Sequence, residues 1–494
     1  MMRSLFSGVS GLKSHQTRMD VIGNNIANVN TIGFKSSRVT FADTLYQTSA
    51  GASAPTATIG GTNPKQIGLG VGVASIDLLF GDASPQATGK NTDLALSGNG
   101  LFVLSPDQDG KDKYYTRAGN FSFDANYNYV VPGSGYHVVG WNADDNGSIK
   151  TMDTPTGIKI KDTMRSMGAK ATTTVSYKGN MNSSVPTIVS MTDQSGANAA
   201  SPATIDGTTI KSLRLKLSDG TTQTVTAKSS YEYKTGNSLP ITTIANVYDS
   251  LGNLHKVPFL FTKVPSGALP LGYDKWEVSV SPGVDSGGTL DPVGTCSIKE
   301  DDGSWTTVSM GTQTLEFNYD GKYINGSGSP TLALTNGAGS SGTPTPLASM
   351  TATVDLTSLT QYSGSDTIKA DYDGHAAGTL KEINTDQSGI LTGTYTNGEK
   401  RSLAQIAVAQ FDNAPGLTKA GANLYTESNN SGTANIKSVN ALGLTLTPSA
   451  LEMSNVDIAN EFADMVVTQR GFQSNSKIIT VGDEMLETVI NMKR

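Results

Sequence analysis

The two ends of this 494-residue chain carry apolar residues at intervals of seven, and this repeat constrains the fold more than any other feature. Near the start, the repeat and the positions that follow its last two members by three are Leu5, Leu12, Met19, Ile22, Ile26 and Val29. Near the end, the repeat is Ile458, Met465, Phe472, Ile479 and Leu486, and Phe462, Met485 and Ile490 widen the same face. Such spacing predicts amphipathic helices of the coiled-coil type. Both ends therefore need an apolar surface to cover them.

The sequence also indicates where the C-terminal helix begins and ends. Ser454, followed three residues later by Asp457, resembles a capping box at a helix start. Lys493 and Arg494 lie where the helix dipole favours positive charge. We therefore expect a helix that runs from this capping box to the end of the sequence.

The glycine residues and the net charge of each end indicate whether these helices form in a single copy or only against neighbouring copies. Gly8, Gly11 and Gly23 each cost about 1 kcal/mol of helix propensity relative to alanine. Residues 1–35 carry four bases and one acid, a net charge of +3, whereas residues 455–494 carry four bases and six acids, a net charge of −2. We expect both ends to be poorly ordered in a single copy and to become helical against neighbouring copies. An ordinary core helix within one copy is the competing interpretation.

Between the ends the apolar pattern has a period of two, which predicts β-strands. Leu213, Leu215 and Leu217 alternate before Asp219-Gly220, which is a hairpin signal. Similar alternation occurs at Trp276, Val278 and Val280 and at Leu315, Phe317 and Tyr319. The low-complexity segment from Asn325 to Pro346 predicts long exposed loops. A charged fraction of only 16% and 54 glycines fit short strands joined by tight turns.

Charge and composition exclude several classes of partner. A formal net charge of −7, without a basic run interleaved with aromatics, argues against nucleic-acid binding. No stretch approaches the ~18 apolar residues of a membrane span, so we predict no membrane insertion. The first residues lack the apolar run of a signal peptide, which leaves either a cytoplasmic protein or one exported without signal cleavage. The single cysteine, Cys296, excludes an intrachain disulfide and is expected to be inert.

No segment assembles a recognisable chemical site. Residues 142–153, NADDNGSIKTMD, approach EF-hand spacing but lack its first aspartate and last glutamate, so a polar hairpin turn is favoured. Residues 68–75, GLGVGVAS, lack the spacing of a dinucleotide-binding loop. The four histidines show no metal-binding spacing, and His15 falls on the N-terminal repeat, where we expect a packing role. We predict no catalytic, cofactor-binding or metal-binding residues, and no enzyme activity.

Several segments resemble the rod and hook subunits of bacterial flagella. The segment NNIANVNTIGFK, from Asn24 to Lys35, is similar to the signature that these subunits share. Four segments resemble their inner β domain, namely TDLALSGNGLFVL (92–104), YYTRAGNFSFD (114–124), GTYTNGEKRSLAQIAVAQF (393–411) and GLTKAGANLYTES (416–428). The ending that starts LEMSNVD at Leu451 resembles the C-terminal helix of the family. VYDSLGN (247–253) resembles the outer domain of hook subunits, which favours hook over rod.

The resemblance implies a multidomain fold with paired, coiled-coil-like terminal α-helices plus nested all-β domains. The implied parts are a helical assembly domain at 1–32 and 453–494, an extended linker at 33–90, an inner β domain at 91–165 and 372–452, and an outer β region at 166–371 of one or two subdomains. Two regions depart from the family pattern: Asp124 to Val130, where a glycine turn is commoner, and the insert from about Thr187 to Ser238.

The same resemblance implies a structural subunit that polymerises into the flagellar hook, a flexible tubular joint that transmits torque from motor to filament. The implied partners are other copies of the chain, the distal rod protein, the hook cap protein, the hook–filament junction protein and the type III export apparatus, with a final location outside the cell. The repeat residues at both ends would form the assembly interface. The alternatives are a distal rod subunit, a secreted β-domain adhesin, and a cell-wall hydrolase for which no carboxylate pair is evident.

Overall fold

The computed structural model describes residues 2–56, 58–207, 209–226, 228–267, 272–283, 289–300, 305–326, 329–336 and 349–492. Internal contacts divide the chain into two compact units, Met1–Arg165 with Leu380–Arg494, and Ser166–Thr379. Where the chain leaves the first unit and returns to it, the N–H of Leu380 donates to the carbonyl of Arg165 at 2.9 Å. The second unit is therefore inserted into the first.

Two long helices form from the ends of the chain, with α1 at Met2–Ala27 and α2 at Ile458–Asn491. The carboxylate of Asp457 caps α2 by accepting from the N–H groups of Ala459 and Asn460. Asp457 can serve both of these otherwise unpaired donors because its side chain is short and ionised. Ser454 is therefore not the cap, and the predicted capping box is corrected to a cap by Asp457 alone.

The ends of both helices also differ from the predicted repeats. α1 ends at Ala27, so Val29 lies in the following turn instead of on the helix. The side chain of Asn28 donates to the carbonyl of Asn24 at 2.9 Å, and such local side-chain bonds compete with helix continuation. At the other end, Lys493 and Arg494 lie outside the described residues.

The segment predicted as an extended linker contains antiparallel strands, which corrects that prediction. Its strands are β1 Ser37–Asp43, β2 Tyr46–Ala50, β3 Lys65–Gly68, β4 Val71–Leu78 and β5 Pro85–Ala87. β1 pairs with β4 and β2 pairs with β3, so the segment folds back on itself as two nested hairpins. Pairing satisfies the backbone groups that an extended chain would leave to water.

The remaining strands belong to the second unit and to the first. The strands before the second unit are β6 Leu94–Ser97, β7 Leu101–Ser105, β8 Tyr114–Thr116, β9 Ser122–Phe123, β10 Tyr129–Val130, β11 His137–Asn142 and β12 Thr156–Gly157. The next are β13 Ser166–Met167, β14 Thr174–Asn182, β15 Ile188–Thr192, β16 Ala203–Ile205, β17 Leu213–Leu217, β18 Thr222–Val225, β19 Ser229–Tyr233, β20 Ile241–Tyr248, β21 Leu254–Val264, β22 Asp274–Val280, β23 Thr295–Lys299, β24 Trp305–Ser309, β25 Gln313–Phe317, β26 Tyr323–Gly326, β27 Thr331–Asn336, β28 Met350–Tyr362 and β29 Lys369–Tyr372. The last are β30 Gly378–Thr385, β31 Ile390–Tyr395, β32 Lys400–Gln410, β33 Thr418–Gly421, β34 Leu424–Thr426, β35 Asn435–Ser438, β36 Thr445–Pro448 and β37 Ala450–Glu452. In the first unit β6 pairs with β36, β5 pairs with β37 and most of the others form the inner sheet.

The inner sheet is assembled from both separated parts of the first unit. β32 pairs antiparallel with β11 and with β7, at Ile406 opposite Gly140 and at Val408 opposite Phe102. The core beneath includes Leu94, Phe121 and Ile406, all buried. Because both parts contribute residues to this core, the two segments form one compact unit. The fold class predicted from the resemblance, terminal helices plus nested β domains, is confirmed.

The second unit contains two sheets that share one core. One sheet follows the order β23-β24-β27-β28-β14-β29 and the other follows β20-β21-β22-β25-β26. Trp276, Phe259 and Tyr177 lie fully buried between them. Cys296 is buried at the same core, and burial, reinforced by the charge of Asp291, raises the pKa of its thiol to about 11. A protonated, buried thiol of this kind is unreactive.

The insert between β14 and β20 has a separate core. Its strands β15 to β19 enclose their own buried cluster, which includes Ile205, Leu213 and Leu215. The predicted hairpin at Asp219-Gly220 is confirmed, since β17 and β18 pair across it. Thr187 and Ser238 form an antiparallel bridge, so the insert begins and ends at adjacent points of the backbone.

Two local predictions in this unit are wrong. Thr331–Asn336 forms strand β27 within the segment whose composition predicts a loop, because Leu332 and Leu334 are buried in the core. The alternating run that ends at Tyr319 stops as a strand at Phe317, and Tyr319 is exposed. Residues 327–328 and 337–348 of the predicted loop lie outside the described residues.

The buried His255 on β21 contacts two carboxylates of the second unit, one just after β20 and one just after β23. His255 Nδ1 lies 2.7 Å from Oε1 of Glu300, and its Nε2 lies 3.8 Å from Oδ2 of Asp249. Burial disfavours the charged imidazole, but the carboxylates of Glu300 and Asp249 outweigh burial and raise the pKa of His255 above its usual 6.5. The protonated ring therefore stabilises the folded state.

We predict that the second unit loses stability as the pH rises. A histidine whose pKa is higher when folded stabilises fully below its unfolded pKa of 6.5 and loses that contribution as the pH passes its folded value. Hydrogen exchange of residues 241–264, corrected for intrinsic rates, should show less protection at pH 8 than at pH 6. The His255→Gln variant should show little of this pH dependence. An unchanged pH dependence in the variant would contradict the assignment.

Candidate assembly interface

The two terminal helices form an antiparallel pair within one copy of the chain. Leu5 near the start of α1 lies against Gly482 in the last third of α2. Arg18, farther along α1, forms an ion pair with Asp464 near the start of α2 at 3.0 Å. The N-terminal end of one helix therefore lies beside the C-terminal end of the other.

Small residues form the seam between these helices. A Cβ on Gly11 would lie 2.7 Å from Oδ1 of Asn475, and a Cβ on Gly471 would lie 2.7 Å from the ring of His15. A Cβ on Gly23, in contrast, would have no neighbouring atom of the described residues within 4 Å. Gly11 thus permits a close helix approach in addition to lowering helix propensity. The expectation that the ends need a neighbouring copy to become helical differs from the structure, in which the pair forms within one chain.

The nested hairpins contact α1 beside its seam with α2. The hydroxyl of Ser10 accepts from the N–H of Val71 at 3.3 Å, and the ring of Phe41 packs edge-on against His15 with centroids 5.8 Å apart. Burial, followed by the charge of Arg18, lowers the pKa of His15. His15 is therefore held as a neutral packing residue, which agrees with the role expected from the sequence.

The structure separates the predicted interface residues into two groups. One group is buried or half-buried and comprises Leu5, Leu12, Met19, Ile22, Ile26, Val29, Met465, Ile479 and Leu486. The other is exposed and comprises Ile458, Phe462 and Phe472, whose exposed fractions are 44%, 52% and 38%. Only the exposed group is free to contact another molecule without opening the helix pair.

Most of an exposed apolar stripe on α2 escaped the sequence analysis, which noted only Met485 among its members. It comprises Val467, Ile478, Val481, Met485, Val489 and Met492, and we call it the outer stripe. From Ile478 onward its members follow at spacings of three or four residues, which place them on one face of a helix. A search for a period of 3.6 instead of seven would have found it. Neither helix, over its described residues, is long and apolar enough to cross a membrane.

The nested hairpins carry a second exposed apolar set that the sequence analysis also missed. Its members are Leu45, Tyr46, Ile59, Ile67, Val73, Ile76 and Leu79. These residues were overlooked because the segment has the pattern of a linker. Exposed apolar residues that group into a patch commonly mark an interaction site.

Side chains of the kinds that bind metal ions are dispersed over the described residues. Among them, no group of three or more His, Cys, Asp or Glu side chains could hold a metal ion. The segment that approaches EF-hand spacing is a turn closed by an Ala143–Ile149 bridge. Within it Asp144 accepts from the N–H groups of Asn146 and Ser148, and these bonds lower its pKa.

Comparison with family models gives four matches along the chain. The flagella basal body rod protein model matches residues 5–35, and the flagellar hook protein FlgE/F/G D1 domain matches 95–180. The flagellar basal body protein FlaE D2 domain matches 236–375, and the flagellar basal body rod FlgEFG protein C-terminal model matches 447–492. The matched ranges leave out most of the insert between Thr187 and Ser238.

Full-length relatives and one solved structure are also similar to this chain. The flagellar hook protein FlgE of Treponema pallidum is 36% identical, and that of Borreliella burgdorferi is 37% identical, each with 100% of both chains covered. The crystal structure of Helicobacter pylori flagellar hook protein FlgE2 aligns with a TM-score of 0.43 at 16% identity, covering 74% of this chain and 100% of that one.

Two alanine substitutions should separate the close helix approach from helix propensity. Gly471→Ala places a methyl group against the rigid ring of His15 and should destabilise the helix pair by about 1–3 kcal/mol through overpacking. Gly23→Ala adds the same group in open space and should stabilise α1 by up to about 1 kcal/mol. Thermal unfolding followed by circular dichroism at 222 nm would measure both shifts. Equal stabilisation by the two changes would show that the seam is not tightly packed.

Proposed function

We propose that copies of this chain, which belongs to the flagellar hook protein family, polymerise through the apolar surface that the terminal helix pair leaves exposed. The family membership makes the chain a structural subunit of the flagellar hook. The observation that carries the proposal is the outer stripe on α2, which stays exposed although the seam with α1 is filled. The stripe and the exposed residues Ile458, Phe462 and Phe472 would be covered by helices of neighbouring copies.

Burial of apolar surface supplies the drive for this association. Each Å² of apolar surface removed from water contributes about 25 cal/mol of favourable free energy. Several half-exposed side chains per copy therefore give a contact of modest free energy, which repeats along the polymer. A contact between different surfaces of identical subunits builds an open helical array unless the rotation closes a ring. The two exposed apolar sets, on α2 and on the nested hairpins, are different surfaces of this kind.

The proposed role is mechanical and has no chemical step. The tube would bend as the β domains of adjacent copies slide past one another, and it would transmit torque through the helix contacts. Its expected partners are the distal rod protein at one end, the hook cap and junction proteins at the other, and the type III apparatus that exports the subunit. Full-length similarity to proteins named as hook proteins favours this role over a distal rod subunit, an adhesin or a hydrolase.

A matched pair of lysine substitutions tests the proposed surface. Val481 lies in the outer stripe, whereas the adjacent Thr480 is exposed outside it. Val481→Lys would place an ammonium group in the apolar contact, and should raise the critical concentration for polymerisation roughly tenfold or more. Thr480→Lys adds the same charge to the same helix and should leave polymerisation close to that of the unaltered chain. Light scattering and electron microscopy of purified protein would measure the difference.

The monomer of each variant should remain folded, since both positions are exposed on the helix surface. Equal helicity by circular dichroism is the control for this. Polymerisation of Val481→Lys at the concentration of the unaltered chain would show that the outer stripe is not the contact surface.

A further inference from the structure

Three charged side chains from distant parts of the first unit meet in its interior. Lys35, Arg117 and Glu452 have exposed fractions of 0%, 1% and 2%. Lys35 Nζ lies 2.7 Å from Oε1 of Glu452, and Arg117 Nε lies 2.9 Å from Oε2 of the same carboxylate. We call these three residues, with Asp82 at 2.7 Å from Arg117, the junction cluster. Glu452 is its centre because its carboxylate forms ion pairs with both Lys35 and Arg117.

The remaining donors of the cluster bind backbone carbonyls. The Lys35 ammonium donates to the carbonyl of Gly81 at 2.7 Å, and Arg117 donates to the carbonyls of Gly98 and Gly100 at 2.7 and 2.8 Å. Burial and the neighbouring Arg117 lower the pKa of Lys35, whereas the hydrogen bond and the charge of Glu452 oppose this shift. The carboxylate of Glu452 is therefore what favours a charged ammonium at this site.

The cluster lies where both terminal helices join the inner β domain. Lys35 follows α1 by eight residues, Glu452 precedes the α2 cap by five, and Arg117 follows strand β8. Each of these three residues lies in a different segment that resembles flagellar subunits. The segments are NNIANVNTIGFK, YYTRAGNFSFD and LEMSNVD. The structure thus brings three separate motifs to one point.

Backbone contacts around the cluster tie the same three segments together. Gly33 has a φ of +67°, and a Cβ there would lie 2.6 Å from the backbone nitrogen of Ala118. The N–H of Gly33 donates to the carbonyl of Glu452 at 2.8 Å. Asn455 accepts from the N–H of Ser36 at 2.8 Å, which links the chain entering α2 to the chain leaving α1.

We propose that the junction cluster is a positioning device that fixes the direction in which the helix pair leaves the inner β domain. Apolar packing is non-directional, whereas paired charges bound to fixed carbonyls allow one arrangement. Polymerisation needs this direction to be fixed, because the outer stripe and the β domains must meet a neighbouring copy at the same time. The need for a fixed direction in polymerisation rests on the proposed function. The geometry within a single copy does not.

A pair of spin labels on the full-length chain measures that geometry without polymerisation. Ser474 on α2 and Glu399 on the inner β domain are both exposed and accept labelled cysteines in a Cys296→Ala background. Glu452→Gln keeps the shape of the side chain but leaves Lys35 and Arg117 without the shared carboxylate. We expect the single narrow distance of the unaltered monomer to broaden in this variant, and its critical concentration for polymerisation to rise at least about tenfold.

The double variant Lys35→Met with Glu452→Gln distinguishes positioning from simple stabilisation. It removes one charge of each sign and leaves Arg117 paired with Asp82, so we expect thermal stability to recover relative to Glu452→Gln. The label distance should stay broad and polymerisation should stay weak. A narrow distance or normal polymerisation in either variant overturns the proposal. The label distances test the cluster even if Val481→Lys shows that the proposed contact surface is wrong.

Discussion

The close approach of α1 and α2 is the constraint on which the rest of the structure depends. Gly8, Gly11, Gly471 and Gly482 let side chains of the opposite helix come against the backbone. Larger apolar residues such as Val467 and Val481 lie on the outside of the pair. The same pairing brings the two ends of the chain together. Everything between residues 27 and 458 must therefore leave the helices and return to them.

The sequence predicts the presence of both helices well, and most of the repeat residues that it nominates are buried or half-buried. The exceptions are Ile458, Phe462 and Phe472, which are exposed although Met465 and Ile479 in the same repeat are half-buried. Helix propensity alone does not explain why glycines occur within the two helices. The partners that explain them, such as Asn475 beside Gly11, lie more than four hundred residues away, and local pattern carries no information about them.

Long-range pairing explains the other differences as well. The alternation at Leu213, Leu215 and Leu217 is local, and it predicted the hairpin of the insert correctly. The pairing of β1 with β4 joins residues that lie as far as 41 positions apart across a polar segment, so residues 33–90 have the pattern of a linker. Lys35, Arg117 and Glu452 all lie in segments that carry the family resemblance. Nothing in their spacing indicates that they share one buried site, since charged residues are normally exposed.

The bridge between Thr187 and Ser238 has a consequence for how such a chain can change in length. Since the insert starts and finishes at neighbouring points and encloses its own core, a change in its length need not move the backbone on either side of it. A polypeptide whose two termini lie similarly close meets the same geometric requirement at this point. The bridge thus marks a position where the chain can gain or lose length while its two terminal helices stay paired.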